Sequence, residues 1–314
     1  MLDITRYYNS ISSPRGGYIT KSSTDIKLVK EYNYYKTIQE DESISPYAKM
    51  LFPRALWALG QESYYSTTTY YMDLEYIPSY NLFHYIQQND AEAISKIAPA
   101  LIDALHTLHS IPLKWRPDTD TMFNEMYIEK TEVEYKKYYD SLSNPPIYHL
   151  AYAKDIWPKV KDKFFDVSFK DAKWTAIHGD CAISNILVDP DSGGVKFIDM
   201  RGSFGSVEGI GGHQLYDYAK LYHSLVGHYE EIIYDKYDFN LSTNKVEFHS
   251  INHLNAVLVK SMFGHFTPHE LSFIKAITGS IFVGMCHRHS ESPEHQHIMF
   301  LQGYKLLRES LYDE

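Results

Sequence analysis

The chain has 314 residues, 44% hydrophobic and 22% charged, which is the composition of a globular protein with one large or two smaller domains. Its formal net charge of −10 argues against a general nucleic-acid binder, because phosphate backbones require a basic surface. Two cysteines are too few for a disulfide framework, and neither a signal peptide nor an apolar run of roughly 18 to 20 residues is present. We therefore expect a cytoplasmic protein that does not insert into a membrane.

The predicted β structure is concentrated in the first part of the chain. Residues 10–30 read as a strand, a turn rich in Pro and Gly, a second strand and the start of a helix. Residues 64–77 are rich in the β-branched and aromatic side chains that are typical of strands. Beyond Pro78 the spacing of apolar residues is mainly helical, and the C-terminal remainder is predicted to be helical throughout. The sequence therefore predicts an α+β chain with a boundary near Pro78.

The segment from His178 to Asp199 has the pattern of a strand, a polar turn and a hairpin. The apolar strand WTAI runs into His178-Gly179-Asp180, and ILVDPDSGGVKFID then reads as two strands joined by a Gly-Gly turn. Because a hairpin returns its second strand beside its first, we expect Asp199 to lie near Asp180 and Asn185. Two carboxylates and an amide oxygen are hard ligands that suit Mg²⁺ together with phosphate oxygens. Phosphoryl transfer requires a set of this kind.

The motif H-G-D-x4-N, followed by an apolar-apolar-Asp element, resembles the catalytic loop and metal-binding segment of the aminoglycoside phosphotransferase and choline kinase superfamily, which is related to protein kinases. The runs IDMRGSFG and DYAKLYHSLVGHY are most similar to a bacterial subgroup linked to capsule or surface-polysaccharide biosynthesis. The resemblance covers nearly the whole chain. It implies a two-lobed, protein-kinase-like fold with a small β-rich nucleotide-binding lobe, residues 1–78. A mainly helical lobe, residues 79–314, would hold the catalytic loop and the acceptor site.

The function that this resemblance implies is transfer of the γ-phosphate of ATP, or of another nucleoside triphosphate, to a hydroxyl of a small molecule. The acceptor would be a sugar, polyol, amino alcohol or aminoglycoside. Asp180 would be the catalytic residue that orients and deprotonates the hydroxyl, and Asn185 and Asp199 would hold Mg²⁺. A homodimer is left open, and no nucleic-acid partner is expected.

In the N-terminal part, GGYITKSS and KEYNYYKTI resemble the nucleotide-binding strand with its lysine and the helix with its glutamate. The resemblance implies that Lys21 contacts the phosphates and that Glu31 is its ion-pair partner. Lys27 and Lys30 compete for the role of Lys21, and Lys30 is the weaker candidate because it falls inside the predicted helix.

Further positions follow from the same resemblance. DLEYIPSYNL resembles the hinge between lobes, which places the adenine near Glu75 and Tyr76. Asp217 would support the catalytic loop as a buried hydrogen-bond acceptor. His178 is either a proton shuttle or a structural residue that holds the loop, and we favour the structural interpretation because the superfamily histidine is usually architectural. Arg201, where the superfamily has Asp-Phe-Gly or Asp-Phe-Glu, would bind a phosphate or substrate anion or form a structural salt bridge.

Two other classes of function remain open. A pseudokinase-like module that senses a nucleotide or sugar without transfer is favoured by the missing Phe-Gly and by the 20 residues that precede Lys21, too few for a full phosphate-covering loop. The presence of Asp180, Asn185 and Asp199 together disfavours such a module. A metal-dependent hydrolase built on His178, Asp180 and Asp199 would need further histidine ligands, and the nearest candidate is His213.

Two further segments, a histidine-rich run and a Gly-rich run, contain residue types found in binding sites. The run CHRHSESPEHQH suggests a zinc site, but its spacing fits no strong zinc signature, and solvated or substrate-facing histidines are the favoured interpretation. The Gly-rich run GSVEGIGGH does not follow the dinucleotide-binding pattern, and we expect a mobile loop near the acceptor site.

Overall fold

The computed structural model describes residues 9–12, 14–56, 60–64, 67–113, 115, 118–165, 173–189, 191–249 and 253–312. The chain divides into two compact units. The first contains Met1–Tyr85, Glu92–Lys114 and Thr175–Gly212, and the second contains Ile86–Ala91, Trp115–Trp174 and His213–Glu314. Residues 178–200 thus belong to the same unit as the N-terminal strands, while the division into lobes near Pro78 stays a prediction. No described helix combines the length and the apolar character that a membrane crossing requires.

The first unit is built on a four-stranded antiparallel sheet in the order β1-β2-β4-β3. The turn between β1 and β2 uses Gly16 and Gly17, whose φ angles of 57° and 84° are readily available only to glycine. Strand β4 is long enough to pair with both of its neighbours, so the aromatic and β-branched run that the sequence predicts as strand is confirmed. The strands are β1 (Asn9–Ile11), β2 (Tyr18–Ser23), β3 (Gly60–Tyr64) and β4 (Thr67–Glu75).

A second sheet in this unit contains the predicted hairpin. Strands β7 (Ile186–Val188) and β8 (Val195–Phe197) are antiparallel, with Ile186 opposite Phe197, and the short β5 (Tyr80–Asn81) adds to the other edge of β7. The hairpin prediction is therefore confirmed. Strands β6 (Trp174–Ala176) and β11 (Gly211–His213) form a further pair, and β9 (Ser203–Phe204) and β10 (Val207–Glu208) form a small hairpin.

Helix α1 (Lys27–Glu40) packs its apolar face into the first unit. Its buried positions follow a helical spacing, and the ring of Tyr34 lies 5.8 Å from that of Phe52, which in turn lies 6.0 Å from that of Phe197. These rings join α1 to strand β8 through one aromatic core. The other early helices are α2 (Pro46–Lys49), α3 (Leu82–Gln87) and α4 (Ala91–His109).

The second unit is mainly helical, and the backbones of its two longest helices, α12 and α13, approach each other closely. Helix α12 begins with a capping box between Thr267 and Glu270, and at its middle a Cβ on Gly279 would lie 2.9 Å from the carbonyl oxygen of Gly303 in α13. The glycines therefore permit the close approach of the two backbones. The helices are α5 (Thr119–Phe123), α6 (Lys130–Ser141), α7 (Ile147–Ala151), α8 (Trp157–Phe164), α9 (Gln214–Leu225), α10 (Tyr229–Ile233), α11 (His253–Phe263), α12 (Pro268–Met285) and α13 (Pro293–Tyr312).

The prediction that the C-terminal remainder is entirely helical is wrong. Strands β12 (Tyr237–Asn240) and β13 (Lys245–Phe248) form an antiparallel hairpin. Burial alternates residue by residue in both strands, and the side chain of Asn240 accepts from the backbone N–H groups of Ser242 and Thr243 in the turn. The Gly-rich run GSVEGIGGH is likewise no plain loop, because it contains strand β10, which pairs with β9, and strand β11.

Candidate active site

The ammonium of Lys21 joins two acidic side chains in the first unit. Its Nζ donates to Oε2 of Glu31 at 2.6 Å and to Oδ1 of Asp199 at 2.6 Å. Lys21 points inward from β2, Glu31 lies in the second turn of α1, and their exposed fractions are only 5% and 6%. The structure thus contains the predicted Lys21–Glu31 ion pair and brings Asp199, from a distant segment of the chain, into contact with it.

The charges of this group depend on one another. Burial lowers the pKa of Lys21, but the carboxylates of Asp199 and Glu31 more than offset this, so the pKa is raised and the ammonium stays charged. Burial raises the pKa of Glu31 to about 7, against the opposing effect of the Lys21 ammonium, and the nearby Asp199 charge adds to the rise. Lys21 is therefore the fixed charge of the group, and Glu31 is neutralised more easily than an ordinary glutamate.

The two competing lysines point elsewhere. Lys27 is largely exposed and pairs with Asp25 at 3.0 Å, and Lys30 pairs with Glu208 of strand β10 at 3.2 Å. Lys21 is the lysine that reaches Asp199 in the described part of the first unit.

The loop that carries Asp180 is held by His178. The backbone N–H of Asp180 donates to Nδ1 of His178 at 3.2 Å, and the carbonyl of His178 accepts from the N–H of Arg201 at 3.0 Å. The imidazole is fully buried and lies edge-on to the ring of Phe197, with centroids 5.5 Å apart. This geometry supports the structural interpretation of His178, because its Nδ1 is occupied by the backbone of the loop.

Asn185 ties the same loop to the end of the hairpin. Its side-chain Nδ2 donates to the backbone carbonyl of Asp180 at 2.9 Å. The backbone carbonyl of Asn185 accepts from the N–H of Ile198 at 3.0 Å. Because the amide nitrogen is committed to Asp180, the amide oxygen is the polar atom left for a ligand. The short 3₁₀ turn Ile183–Asn185 and the hairpin thereby place Asn185 next to the residue that precedes Asp199.

The donor set formed by Asn185 and Asp199 fits Mg²⁺. The side chain of Asp199 is 44% exposed, and apart from the bond of its Oδ1 with Lys21, its carboxylate accepts no hydrogen bond from the described residues. A carboxylate and an amide oxygen are hard ligands, and Mg²⁺ usually completes its shell with water and phosphate oxygens. Within the described ranges, no three His, Cys, Asp or Glu side chains converge as a complete protein-only metal site. The set therefore suits a metal that arrives with a nucleotide.

Two glycines allow the segments of this site to approach closely. At Gly179, with φ of 77°, a Cβ would lie 2.7 Å from the Cβ of Arg201, so the aliphatic stem of Arg201 covers the loop. At Gly202, with φ of 65°, a Cβ would collide with the carbonyl oxygen of Lys30 in α1. The role of Gly202 was not predicted, although a glycine directly after Arg201 was a visible signal for a close backbone contact.

The remaining predicted positions are placed as follows. The N–H of Tyr76 donates to the carbonyl of Gly17 at 2.9 Å, and the carboxylate of Glu75 accepts from the backbone N–H of Arg54 at 3.1 Å. Asp217 lies in α9 of the second unit and is fully buried. The roles of Glu75 and Tyr76 at the adenine, and of Asp217 below the loop, stay predictions.

The C-terminal histidines have separate partners in the second unit. His295 lies 2.7 Å from Asp235, His297 lies 2.9 Å from Asn244, and His289 lies 3.0 Å from Glu291. Each of the three histidines therefore contacts a different neighbouring side chain.

His213, the ligand that the hydrolase alternative would need, is fully buried. Its Nδ1 lies 2.7 Å from the hydroxyl of Tyr127, and burial lowers its pKa to about 3. An imidazole with one nitrogen occupied by a tyrosine is a poor candidate for an additional metal ligand.

Comparisons with known proteins show the family and the fold of the chain. Residues 30–199 match the model of the family described as APH, phosphotransferase enzyme family. Among solved structures, aminoglycoside phosphotransferase APH(4)-Ia, as a thermostable mutant in ternary complex with AMP-PNP and hygromycin B, is similar over 98% of this chain and 95% of its own, with 10% identity and a TM-score of 0.58. The GDP complex of an aminoglycoside 2′-phosphotransferase IIIa mutant is similar over 98% and 89%, with 11% identity and a TM-score of 0.58.

The gentamicin complex of APH(2″)-IIa is similar over 96% of this chain and 88% of its own, with 12% identity and a TM-score of 0.56. At such identities the likeness shows the fold alone. No curated protein matches the sequence. The family match spans more than half of the chain and contains Glu31, Asp180, Asn185 and Asp199, and the chain therefore belongs to the APH phosphotransferase enzyme family and has its kinase-like fold.

Proposed function

We propose that the protein transfers the γ-phosphoryl group of a nucleoside triphosphate to a hydroxyl group of a small molecule, with Mg²⁺. The observation that carries this proposal is the contact of Lys21 with both Glu31 and Asp199. A lysine held by a helix glutamate and directed at a candidate metal ligand is the arrangement that kinases use to position phosphates. A pseudokinase-like module would have no chemical need to keep Asp180 and Asn185 as well.

Each residue has a distinct task in this proposal. Asp180 holds the acceptor hydroxyl and takes its proton, while His178 fixes the backbone of Asp180. Lys21 steadies the phosphates. Asn185 and Asp199 would hold Mg²⁺, which when bound offsets the negative charge on the transferring phosphates.

Three further positions complete the proposed site. Arg201 contacts a phosphate or a substrate anion beside Asp180, and Asp217 supports the loop. The adenine, or another base, lies near Glu75 and Tyr76. The solved structures named above contain AMP-PNP in one case and GDP in another, so both ATP and GTP are reasonable donors to test.

The acceptor is proposed to be a sugar or polyol, possessing a hydroxyl that Asp180 can activate. The similarity of IDMRGSFG to the capsule-associated subgroup supports a role in capsule or surface-polysaccharide biosynthesis. Aminoglycosides and amino alcohols are the competing acceptors, and the net charge of −10 favours such cations. The proposal includes a cytoplasmic enzyme with lobes at residues 1–78 and 79–314, and it leaves a homodimer open.

The test is a coupled assay with ATP or GTP against monosaccharides, sugar nucleotides, choline, ethanolamine and aminoglycosides. Once an acceptor is found, Asp180→Asn should lower kcat by about 10²–10⁴ and leave nucleotide affinity unchanged. Asp191→Asn is the matched control, because Asp191 is exposed in the hairpin turn. Near-normal turnover of Asp180→Asn would overturn the assignment. Binding of Mg²⁺ and ATP without transfer to any acceptor would support the sensing module instead.

A further inference from the structure

Tyr35 lies on the same face of α1 as Glu31, one turn further along the helix. Its side chain is fully buried, with an exposed fraction of 0%. Residues four apart on a helix are neighbours, so the side chains of Tyr35 and Glu31 lie beside each other on α1. No part of the sequence motif draws attention to this position.

The hydroxyl of Tyr35 faces the two acids of the candidate site. Its electrostatic neighbours are Glu31 and Asp199, and the backbone of Asp199 lies in hydrogen-bonding reach of the phenol. Neither this hydroxyl nor Oε1 of Glu31 makes a well-aligned hydrogen bond to another described residue, although both atoms are fully buried. Two buried polar atoms are thus set beside the residue that is proposed to hold the metal.

The chemistry of these groups is complementary. The hydroxyl of Tyr35 can donate one hydrogen bond and accept another. In the ionised form of Glu31, which the Lys21 ammonium favours, Oε1 is an acceptor that the bond from Lys21 to Oε2 leaves open. The backbone N–H of Asp199 is a donor. The hydroxyl of Tyr35 can therefore accept from the backbone N–H of Asp199 and donate to Oε1 of Glu31 at the same time.

The spacing between α1 and the segment 199–202 is already fixed. The carbonyl of Lys30 packs directly on Gly202, where no Cβ would fit, and Lys21 links Glu31 to Asp199. Because these contacts hold the backbones in place, the two bonds of Tyr35 depend on the positions of the side chains.

We propose that Tyr35 is a positioning residue that closes a ring Lys21–Glu31–Tyr35–Asp199 and holds Asp199 in its metal-binding conformation. Asp199 has a left-handed backbone with φ of 61°, which is uncommon outside glycine and requires support from its surroundings. The bonds of Tyr35 are completed when Mg²⁺ and nucleotide engage Asp199. This inference rests on the proposed function, since it assigns a role to Tyr35 only toward a metal–nucleotide complex.

The experiment is calorimetric titration of AMP-PNP, once with Mg²⁺ and once with a chelator, into wild type and Tyr35→Phe. The phenylalanine keeps the ring and removes only the hydroxyl. We expect Tyr35→Phe to weaken binding of the Mg²⁺ complex about 10-fold, as is typical for partners of metal ligands, and to change metal-free binding less than about twofold. The melting temperature of the free protein should stay near that of wild type, because no complete hydrogen bond is lost.

Tyr152→Phe is the matched control. Tyr152 lies in the second unit, its hydroxyl is also fully buried without a well-aligned partner among the described residues, and its ring packs 4.5 Å from that of Tyr135. This variant should leave both titrations unchanged.

Three results are decisive. Wild type that shows no Mg²⁺ dependence would contradict the proposed function before any variant is considered. A Mg²⁺-dependent wild type with an unaltered Tyr35→Phe would overturn the role of Tyr35. Equal losses with and without Mg²⁺, accompanied by a lower melting temperature, would show that Tyr35 serves only the fold.

Discussion

Lys21 and Asp199 lie 178 positions apart in the chain, and the ammonium of the first donates to the carboxylate of the second at 2.6 Å. The contact joins the N-terminal sheet to the end of the hairpin that follows the Asp180 loop. Because Glu31 shares the same ammonium, the loss of any one member changes the electrostatic surroundings of the other two. The effect of replacing one of these residues should therefore depend on which of the others is present.

Replacing Lys21 by Met should abolish most activity and destabilise the protein. Removing one partner of a buried ion pair costs about 3–5 kcal/mol, and here the loss should fall at or below that range because Glu31, with a pKa of about 7, readily takes up a proton. We expect kcat/KM to fall at least about 100-fold, corresponding to roughly 2.7 kcal/mol. Steady-state kinetics and urea unfolding measure the two effects.

Adding Glu31→Gln to Lys21→Met should recover part of the stability and none of the activity. The glutamine removes the carboxylate that Lys21→Met leaves without its cation. Lys27→Met is the control, because Lys27 is exposed and pairs only with Asp25 among the described residues. A double variant that is less stable than Lys21→Met would contradict the pairing energetics.

Gly202→Ala should destabilise the first unit by more than about 1 kcal/mol and lower activity together with it. The alanine would adopt a φ that L residues avoid, and its Cβ would also collide with the carbonyl of Lys30. Gly209→Ala separates the two effects, because Gly209 has φ of 128° but no atom within 4 Å of its Cβ position. Equal unfolding midpoints for the two variants would show that close packing on α1 contributes nothing.

If His178 is structural, turnover should depend on a hydrogen-bond acceptor for the N–H of Asp180 at position 178, and not on a side chain that titrates. His178→Asn keeps an acceptor near the position of Nδ1 for the N–H of Asp180, whereas His178→Leu removes it. We expect His178→Asn to retain much of the turnover with an unchanged pH–rate profile, and His178→Leu to lose about 10²-fold. If both variants lost turnover equally and the pH profile lost a limb, His178 would be a proton shuttle.

Stability should fall in mild acid because of His149. Burial, followed by the neighbouring His297, lowers its pKa from 6.5 to about 4. Between these two values the unfolded chain binds a proton that the folded chain refuses, so stability decreases as the pH falls from 6.5 to 4, by at most about 3 kcal/mol. His149→Phe keeps the ring that stacks 4.0 Å from Phe300 and removes the titration.

The measurement for His149 is urea unfolding at pH 5 and at pH 7. The difference in unfolding free energy between the two values should be smaller in His149→Phe than in wild type. An identical difference would show that the histidine does not contribute to the acid sensitivity.

Much of the site was predictable because its residues occur in one short motif. The hairpin from Ile186 to Phe197 follows from alternation and a Gly-Gly turn, and it explains why Asn185 and Asp199 are brought close together. Lys30 was the weaker candidate because it falls inside the predicted helix, and in the structure it pairs with Glu208 while Lys21 contacts Asp199.

Other features depend on tertiary contacts that no local pattern encodes. Tyr35 is one of 28 tyrosines, and only the packing of α1 on the segment 199–202 distinguishes it from the others. The hairpin Tyr237–Phe248 was missed because its strands are short and polar on one side, although their alternation and the turn around Asn240 were available signals. Conversely, the histidines of the C-terminal run suggested a cluster, but neighbours such as Asp235 hold them individually.

The left-handed backbone at Asp199 inverts the usual ranking of conservative replacements at that position. Asparagine and aspartate tolerate such a backbone better than other side chains, because their short polar groups bond locally. Asparagine at 199 would therefore preserve the chain path and change only the charge. Glutamate would preserve the charge and strain the chain path, so a substitution that keeps the formal charge should do more harm to the fold than one that removes it.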